Sequence, residues 1–222
     1  MARMPRLVVP GYPHHVTQRG NRRMKTFFSD SDYRHYLELL SEYKIEAGVD
    51  IWAYCLMPNH VHIVAVPEQE NGLADLFRQV HRHYSRYINF REKWKGHLWQ
   101  ERFHSFVMDE KYLLAAVRYI ELNPVRASLC KIASGWRWSS VHAHLSGTDD
   151  GIVSTGPMLS RVGVGSWLKY LQEDGSQSTA QIRKHGSSGR PAGSDAFVEL
   201  MEIATGRNLK RKRPGPKPQA GN

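Results

Sequence analysis

Cysteine is scarce in this sequence: Cys55 and Cys130 are the only two in 222 residues. Two cysteines cannot build a disulfide framework, so a reducing, cytoplasmic setting is expected. No CxxC pair is present, which excludes a zinc ribbon. No GxxxxGK loop followed by Ser or Thr occurs, so no nucleotide-powered motor is indicated. There is no GxSxG either. No apolar run approaches the roughly 18–20 residues of a membrane span, so an integral membrane protein is not expected. The first ten residues are too short and too polar for a secretory signal. Acid is also in short supply. Asp and Glu total 21 against 31 Lys and Arg, a formal net charge of +10. Such an excess favours a polyanionic partner, most simply nucleic acid.

What is present is enough for a packed domain. Six Trp, ten Tyr and seven Phe exclude disorder throughout the chain. Three zones follow from composition. Residues 1–145 are dense in aromatics and read as the main domain. Residues 146–206 are richer in Gly, Ser, Thr and Asp and read as an extension with short helices. Residues 207–222 carry six Lys/Arg, no acid and three Pro, so this tail is expected to be disordered until an anion binds it.

Periodicity in the first zone alternates between the two regular forms. An extended segment is expected over 14–19. Ser29 or Asp30 can cap a helix that Gly48 stops. Strands over 49–57 and 60–66 flank Pro58-Asn59 as a hairpin. A long amphipathic helix follows over 72–93, a strand over 98–108, and a helix over 111–122 ended by Asn123-Pro124. This order predicts an α+β fold: a ferredoxin-like antiparallel sheet with helices packed on one face.

Three constellations carry chemistry. In a strand, His60 and His62 project to the same face. Two such imidazoles can hold one divalent ion, although an isolated His-x-His is more often one packed ring and one solvated ring. Tyr119 and Asn123 lie about 400° apart on a helix, nearly one above the other; by itself this pair is weak, because Tyr at helical spacing is usually core. Arg78, Arg82, Arg86 and Lys93 form a basic stripe beside Tyr84, Tyr87 and Trp94. A solvated face is one reading of it, and a groove that tracks a nucleic-acid backbone with stacking rings is the other.

Tyr54–His62, reading YCLMPNHVH, resembles the HUH strand of single-tyrosine transposases. Arg118–Ala127, reading RYIELNPVRA, resembles their tyrosine helix. With Leu98–Phe103 and Trp136–Ser140, the pattern is similar to that of the REP-associated tyrosine transposases, over most of residues 5–145. The resemblance implies a ferredoxin-like fold and cleavage and joining of single-stranded DNA beside hairpins. It implies His60 and His62 as metal ligands, Tyr119 as nucleophile, and Mg²⁺ or Mn²⁺ as the ion. Asn123 stands where mobile relatives carry a Gln ligand. DNA contacts are expected from Arg6, Gln18, Arg19, Asn21 and Arg22 near the start, and from Arg78, Arg82, Arg86, Trp99, Arg102 and Arg126. The partner is single-stranded or hairpin DNA, the assembly a monomer or homodimer, and the location cytoplasmic and nucleoid-associated. The competing expectation is a hairpin-binding protein that does not cut. The segment from Gly189 to Gly206 resembles the C-terminal extension of some members.

Overall fold

The computed structural model describes residues 6–173, 182, 185 and 188–210. Four strands form one antiparallel sheet in the order β2-β3-β1-β4, where β1 is His14–Arg19, β2 Val49–Met57, β3 His60–Pro67 and β4 His104–Val107. With α1 at Asp30–Glu46 and α2 at Gly72–Glu92, β3 lies between β1 and β2 as a ferredoxin-like arrangement requires.

The start of α1 is fixed by Asp32. Its carboxylate accepts the backbone N–H groups of Phe28 (2.7 Å) and Ser29 (3.1 Å), and Arg91 of α2 pairs with it. Burial pushes the Asp32 carboxyl up, but Arg91 and the two amides outweigh this and hold it below the usual carboxylate range. α2 buries Leu73, Leu76, Phe77, Val80, Tyr84 and Ile88 and stops at Lys93, whose φ of 55° turns the chain out of the helix.

Helices cover both faces of the sheet, which corrects the expected one-sided packing. α1 and α2 pack on Val16, Ile51, Tyr54, Leu56, Val61 and Ile63. α3, at Glu110–Glu121, packs on Ala53, Cys55, Met57 and Val64 from the other side. The cause is that β2 is apolar on both sides, so each side needs a cover. A bulge between Ile51 and Ala53 shifts the alternation by one, so Ile51 and Tyr54 face the same side.

The expected strand over 98–108 is regular only at Phe103's far side, over His104–Val107. Leu98, Trp99 and Phe103 are all buried in the same cluster, a pattern that does not alternate as a strand must. That segment instead crosses the end of β1, where Gln100 N–H donates to Arg19 O (2.9 Å) and Asn21 N–H to Leu98 O (2.8 Å). α3 ends at Glu121, just before Asn123-Pro124 as expected, but Pro124 does not stop the chain from coiling again. It sits in the first turn of a short helix, α4 (Asn123–Arg126), where its missing N–H costs nothing.

The extension shares the α3-side core. Residues of α5 (Val141–Ser146), α6 (Gly156–Val162) and α7 (Trp167–Gln172) cluster with Val117 and Ile120. Glu121, fully buried at the end of α3, accepts from Ser140 Oγ (2.7 Å) and Trp167 Nε1 (2.8 Å) and lies 2.6 Å from His144 Nδ1. One carboxylate thus ties α5 and α7 to the tyrosine helix. The last helix, α8 (Asp195–Thr205), packs Phe197 and Met201 on Leu7, Val9 and Val107. The tail is anchored at its start, against expectation: Leu209 is buried there, and Arg207 donates to Arg6 O (3.1 Å). The rest of the basic tail, 211–222, lies outside the described residues.

Candidate active site

Alternation along β3 sends Val61 and Ile63 into the α1/α2 core and His60 and His62 to the α3 face. Register then decides their neighbours. Arg19 pairs with His60, Thr17 with His62, and Thr17 with His104. Directly opposed residues of an antiparallel pair share a face, so these side chains crowd together. With His15 and Tyr119 they line a cavity of about 330 Å³.

The rings are close. The His62 centroid lies 4.9 Å from His60, 5.2 Å from His15 and 5.6 Å from Tyr119. Each Nδ1 of the His pair has a partner. Asn59 Oδ1 accepts from His60 Nδ1–H at 2.6 Å, and His62 Nδ1 shares a 2.9 Å hydrogen bond with His15 Nε2. An imidazole held at Nδ1 offers Nε2 to a metal. His62 Nε2 is buried and has no hydrogen-bond partner in the protein. That orphaned acceptor is the feature that fits a bound cation. Among the described residues no group of three or more His, Cys, Asp or Glu is placed to hold a metal, so a third ligand drawn from them would be of another type, such as an amide.

Electrostatics favour the neutral, coordinating form of these rings. Burial pushes His15 down to about 3 and, with help from Arg19, His60 down to about 4. Burial also holds His62 well below the ordinary value, aided by His60, His15, Arg19 and Arg126. Tyr119 is 9% exposed. The Arg126 guanidinium lies over its ring at 4.2 Å and also donates to its carbonyl, so this predicted DNA contact packs on the tyrosine. Asn123 is also 9% exposed and its Nδ2 has no partner, but it does not line the cavity.

The other predicted residues divide. Arg6, Arg78, Arg82, Trp99 and Arg102 line a second cavity of about 750 Å³, which shares Gln18 and Gln100 with the first. Within it, Arg6 is tied down: it stacks 3.5 Å from the Phe103 ring and donates to Phe103 O. Trp99 is 7% exposed and packs on Tyr36, His81 and Tyr84, so it forms wall and not a free platform. Tyr84 is fully buried and donates to Thr26 O, which removes it from any stacking role. Arg86, Asn21 and Arg22 lie outside both cavities. His15, Thr17, Asn59 and His104 were not anticipated. The signal for two of them was the period of β1, in which His15 and Thr17 alternate with Val16 just as His60 and His62 alternate with Val61.

A model of the IS200-like transposases matches residues 9–123, just over half of the chain and all of the sheet. The chain belongs to the IS200-like transposase family. Among curated proteins it resembles the REP-associated tyrosine transposase of Escherichia coli (strain K12), with 22% identity over 123 residues, 55% of this chain and 71% of that protein. Among solved structures it resembles a REP-associated tyrosine transposase bound to a REP hairpin, at a TM-score of 0.58 and 22% identity. That match covers 69% of this chain and 92% of the other, and it shows a shared fold. The matched family segment contains His15, His60, His62, Tyr119 and Asn123, whereas Arg126, which packs on Tyr119, lies just beyond its end.

Proposed function

We propose that this IS200-like transposase cleaves and rejoins single-stranded DNA beside hairpins through Tyr119. A divalent ion, Mg²⁺ or Mn²⁺, would be held by His60 and His62; the Asn123 amide, which lies outside the cavity, would have to turn toward it to serve as a third ligand. The observation that carries the reading is the convergence of two Nδ1-anchored imidazoles and a tyrosine on one cavity. The hairpin carried by the solved relative supports the substrate class. No helix among the described residues is long and apolar enough to cross a membrane.

The bound ion would neutralise charge on the non-bridging oxygens of the scissile phosphate. The chain's own groups supply the rest. Arg19 stands beside His60, and Arg126 lies on the Tyr119 ring, so positive charge borders the cavity where an anion must enter. Arg126 and the His15 ring also limit how the Tyr119 ring can turn, which favours in-line approach. The Tyr119 phenol loses its proton and its oxygen bonds to phosphorus. The bond from phosphorus to the 3′-oxygen breaks, and that oxygen leaves with the electron pair and takes up a proton. The products are a 5′-phosphotyrosine and a free 3′-OH. One phosphodiester replaces another, so rejoining by the reverse attack needs no ATP, in keeping with the missing GxxxxGK loop. His60, His62 and Tyr119 meet within one chain, which supports a monomer as the catalytic unit.

The test is a denaturing gel for a covalent complex. End-labelled single-stranded oligonucleotides with REP-type hairpins would be incubated with the protein and Mg²⁺ or Mn²⁺. An adduct with the downstream strand, lost in Tyr119→Phe and in EDTA, is expected. Retarded DNA under native conditions without any adduct would point to a hairpin-binding protein that does not cut. An adduct that survives in Tyr119→Phe would assign the nucleophile elsewhere.

A further inference from the structure

The turn that leaves β1 is strained. Met24 N–H donates to Asn21 O at 2.9 Å, closing a β-turn with Arg22 and Arg23 as its central residues. Both have positive φ: Arg22 at 51° with ψ 24°, and Arg23 at 62°. Two positive φ values in succession are the geometry of a type I′ turn, for which Asn-Gly is the favoured pair. Arginine has no local reason to be there.

The turn is also firmly seated. Gly20 precedes it, where a Cβ would lie 2.4 Å from Met24 O. Gly20 N–H donates to Asn59 O at 2.8 Å. Asn59 Nδ2 donates to Arg23 O at 2.9 Å, and the same amide's Oδ1 accepts from His60 Nδ1–H. The turn is therefore one side chain away from a candidate metal ligand. All of its own contributions to these contacts are backbone atoms, so Asn-Gly would make every one of them without strain. What Asn-Gly would lack is two positive charges. Both arginines are exposed, and neither side chain has an ion-pair partner among the described residues. Arg19, on the cavity side of the same segment, is exposed as well.

We infer that the Arg22-Arg23 turn is a phosphate-binding site that grips the DNA backbone beside the scissile position, its strain retained because function needs both guanidiniums there. The site takes consecutive backbone phosphates of a single strand and reads no base. Its link through Asn59 fixes the distance from the gripped phosphates to His60. The inference rests on the DNA reading above and adds to it a location and a device.

Three proteins test it: wild type, R22N/R23G, which removes charge and strain, and R22Q/R23Q, which removes charge alone. Binding of a fluorescein-labelled, mixed-sequence single strand would be followed by anisotropy across salt, with a thermal melt of each protein. Both variants are expected to flatten the slope of log K against log salt by about 1.4, since each phosphate contact on a single strand contributes roughly 0.7. R22N/R23G alone is expected to melt higher, by about 4 °C. Wild-type slopes in both variants would overturn the inference while leaving the DNA reading intact. A melting point for R22N/R23G no higher than wild type would remove the strain on which it is built. A wild type that binds no single strand would sink the DNA reading, and this site with it.

Discussion

The two faces of the sheet are built from the same strands and do opposite work. On the α1/α2 side, Val16, Val61 and Ile63 meet a dense aromatic core in which Phe27 stacks on Tyr33 at 4.5 Å and Tyr33 on Trp138 at 4.7 Å. On the α3 side, their immediate neighbours His15, Thr17, His60 and His62 surround a cavity. A shift of one residue moves from one world to the other. The difference teaches that a two-residue period lets one strand hold its packed core on one face and the candidate site on the other. Damage to either should then be separable.

The sharpest break is Tyr119→Phe. It keeps the ring under Arg126 and should leave the melting point unchanged, while lowering adduct formation by about 10³-fold or more on a denaturing gel. A large loss of stability would mean the two faces are not separable at this residue. His60→Ala should slow cleavage more than Asn123→Ala, because an imidazole held at Nδ1 binds a cation better than an amide; the reverse ranking in single-turnover rates would reassign the ligand set.

Ile63→Ala tests the opposite face, one residue from His62. It should cost about 3 kcal/mol of stability, roughly a hundredfold in the folding equilibrium, while Mn²⁺ affinity of the folded protein stays at the wild-type value. Urea titration and calorimetry would read the two quantities. His15→Ala should do the converse. Losing the partner of His62 Nδ1 is expected to weaken Mn²⁺ binding by about 10–100-fold, with partial recovery in His15→Gln, which restores an acceptor. Equal affinity in all three would remove His15 from any orienting role.

A remaining effect concerns pH, and both faces share it. Burial pushes His15 down to about 3 and His60 to about 4 on the cavity side, and His81 to about 3 beside Trp99 on the other. Unfolded imidazoles take up protons near pH 6.5. Between that value and the folded ones, the unfolded chain binds more protons, so stability rises with pH across the window. The metal-free protein should therefore melt roughly 10 °C or more lower at pH 5 than at pH 7. A flat profile would mean that these rings are accessible to water.

Much of this was legible in the chain. The helices and the first three strands follow from apolar spacing. The His-x-His period placed two imidazoles on one face, and the tyrosine helix was readable from its own sequence. Other features were not, because they depend on contacts between distant residues. The period of β1 separates His15 from the adjacent His14, which bonds to Val9 N–H and Tyr12 O, but it does not say that His15 meets His62. The bulge in β2 changes no residue type. Trp99 and Tyr84 read as stacking rings because an aromatic looks the same from sequence whether it faces solvent or core.

The sequence by itself determined the period of each element, and with it which residues share a face. Only the tertiary structure decided what lies opposite: His15 against His62, Asn59 between His60 and the arginine turn, α3 across the sheet from α1 and α2. Periodicity is a property of one segment's backbone geometry. Register and layer order are set by cross-strand hydrogen bonds and by burial summed over the whole chain, and no single segment carries that sum.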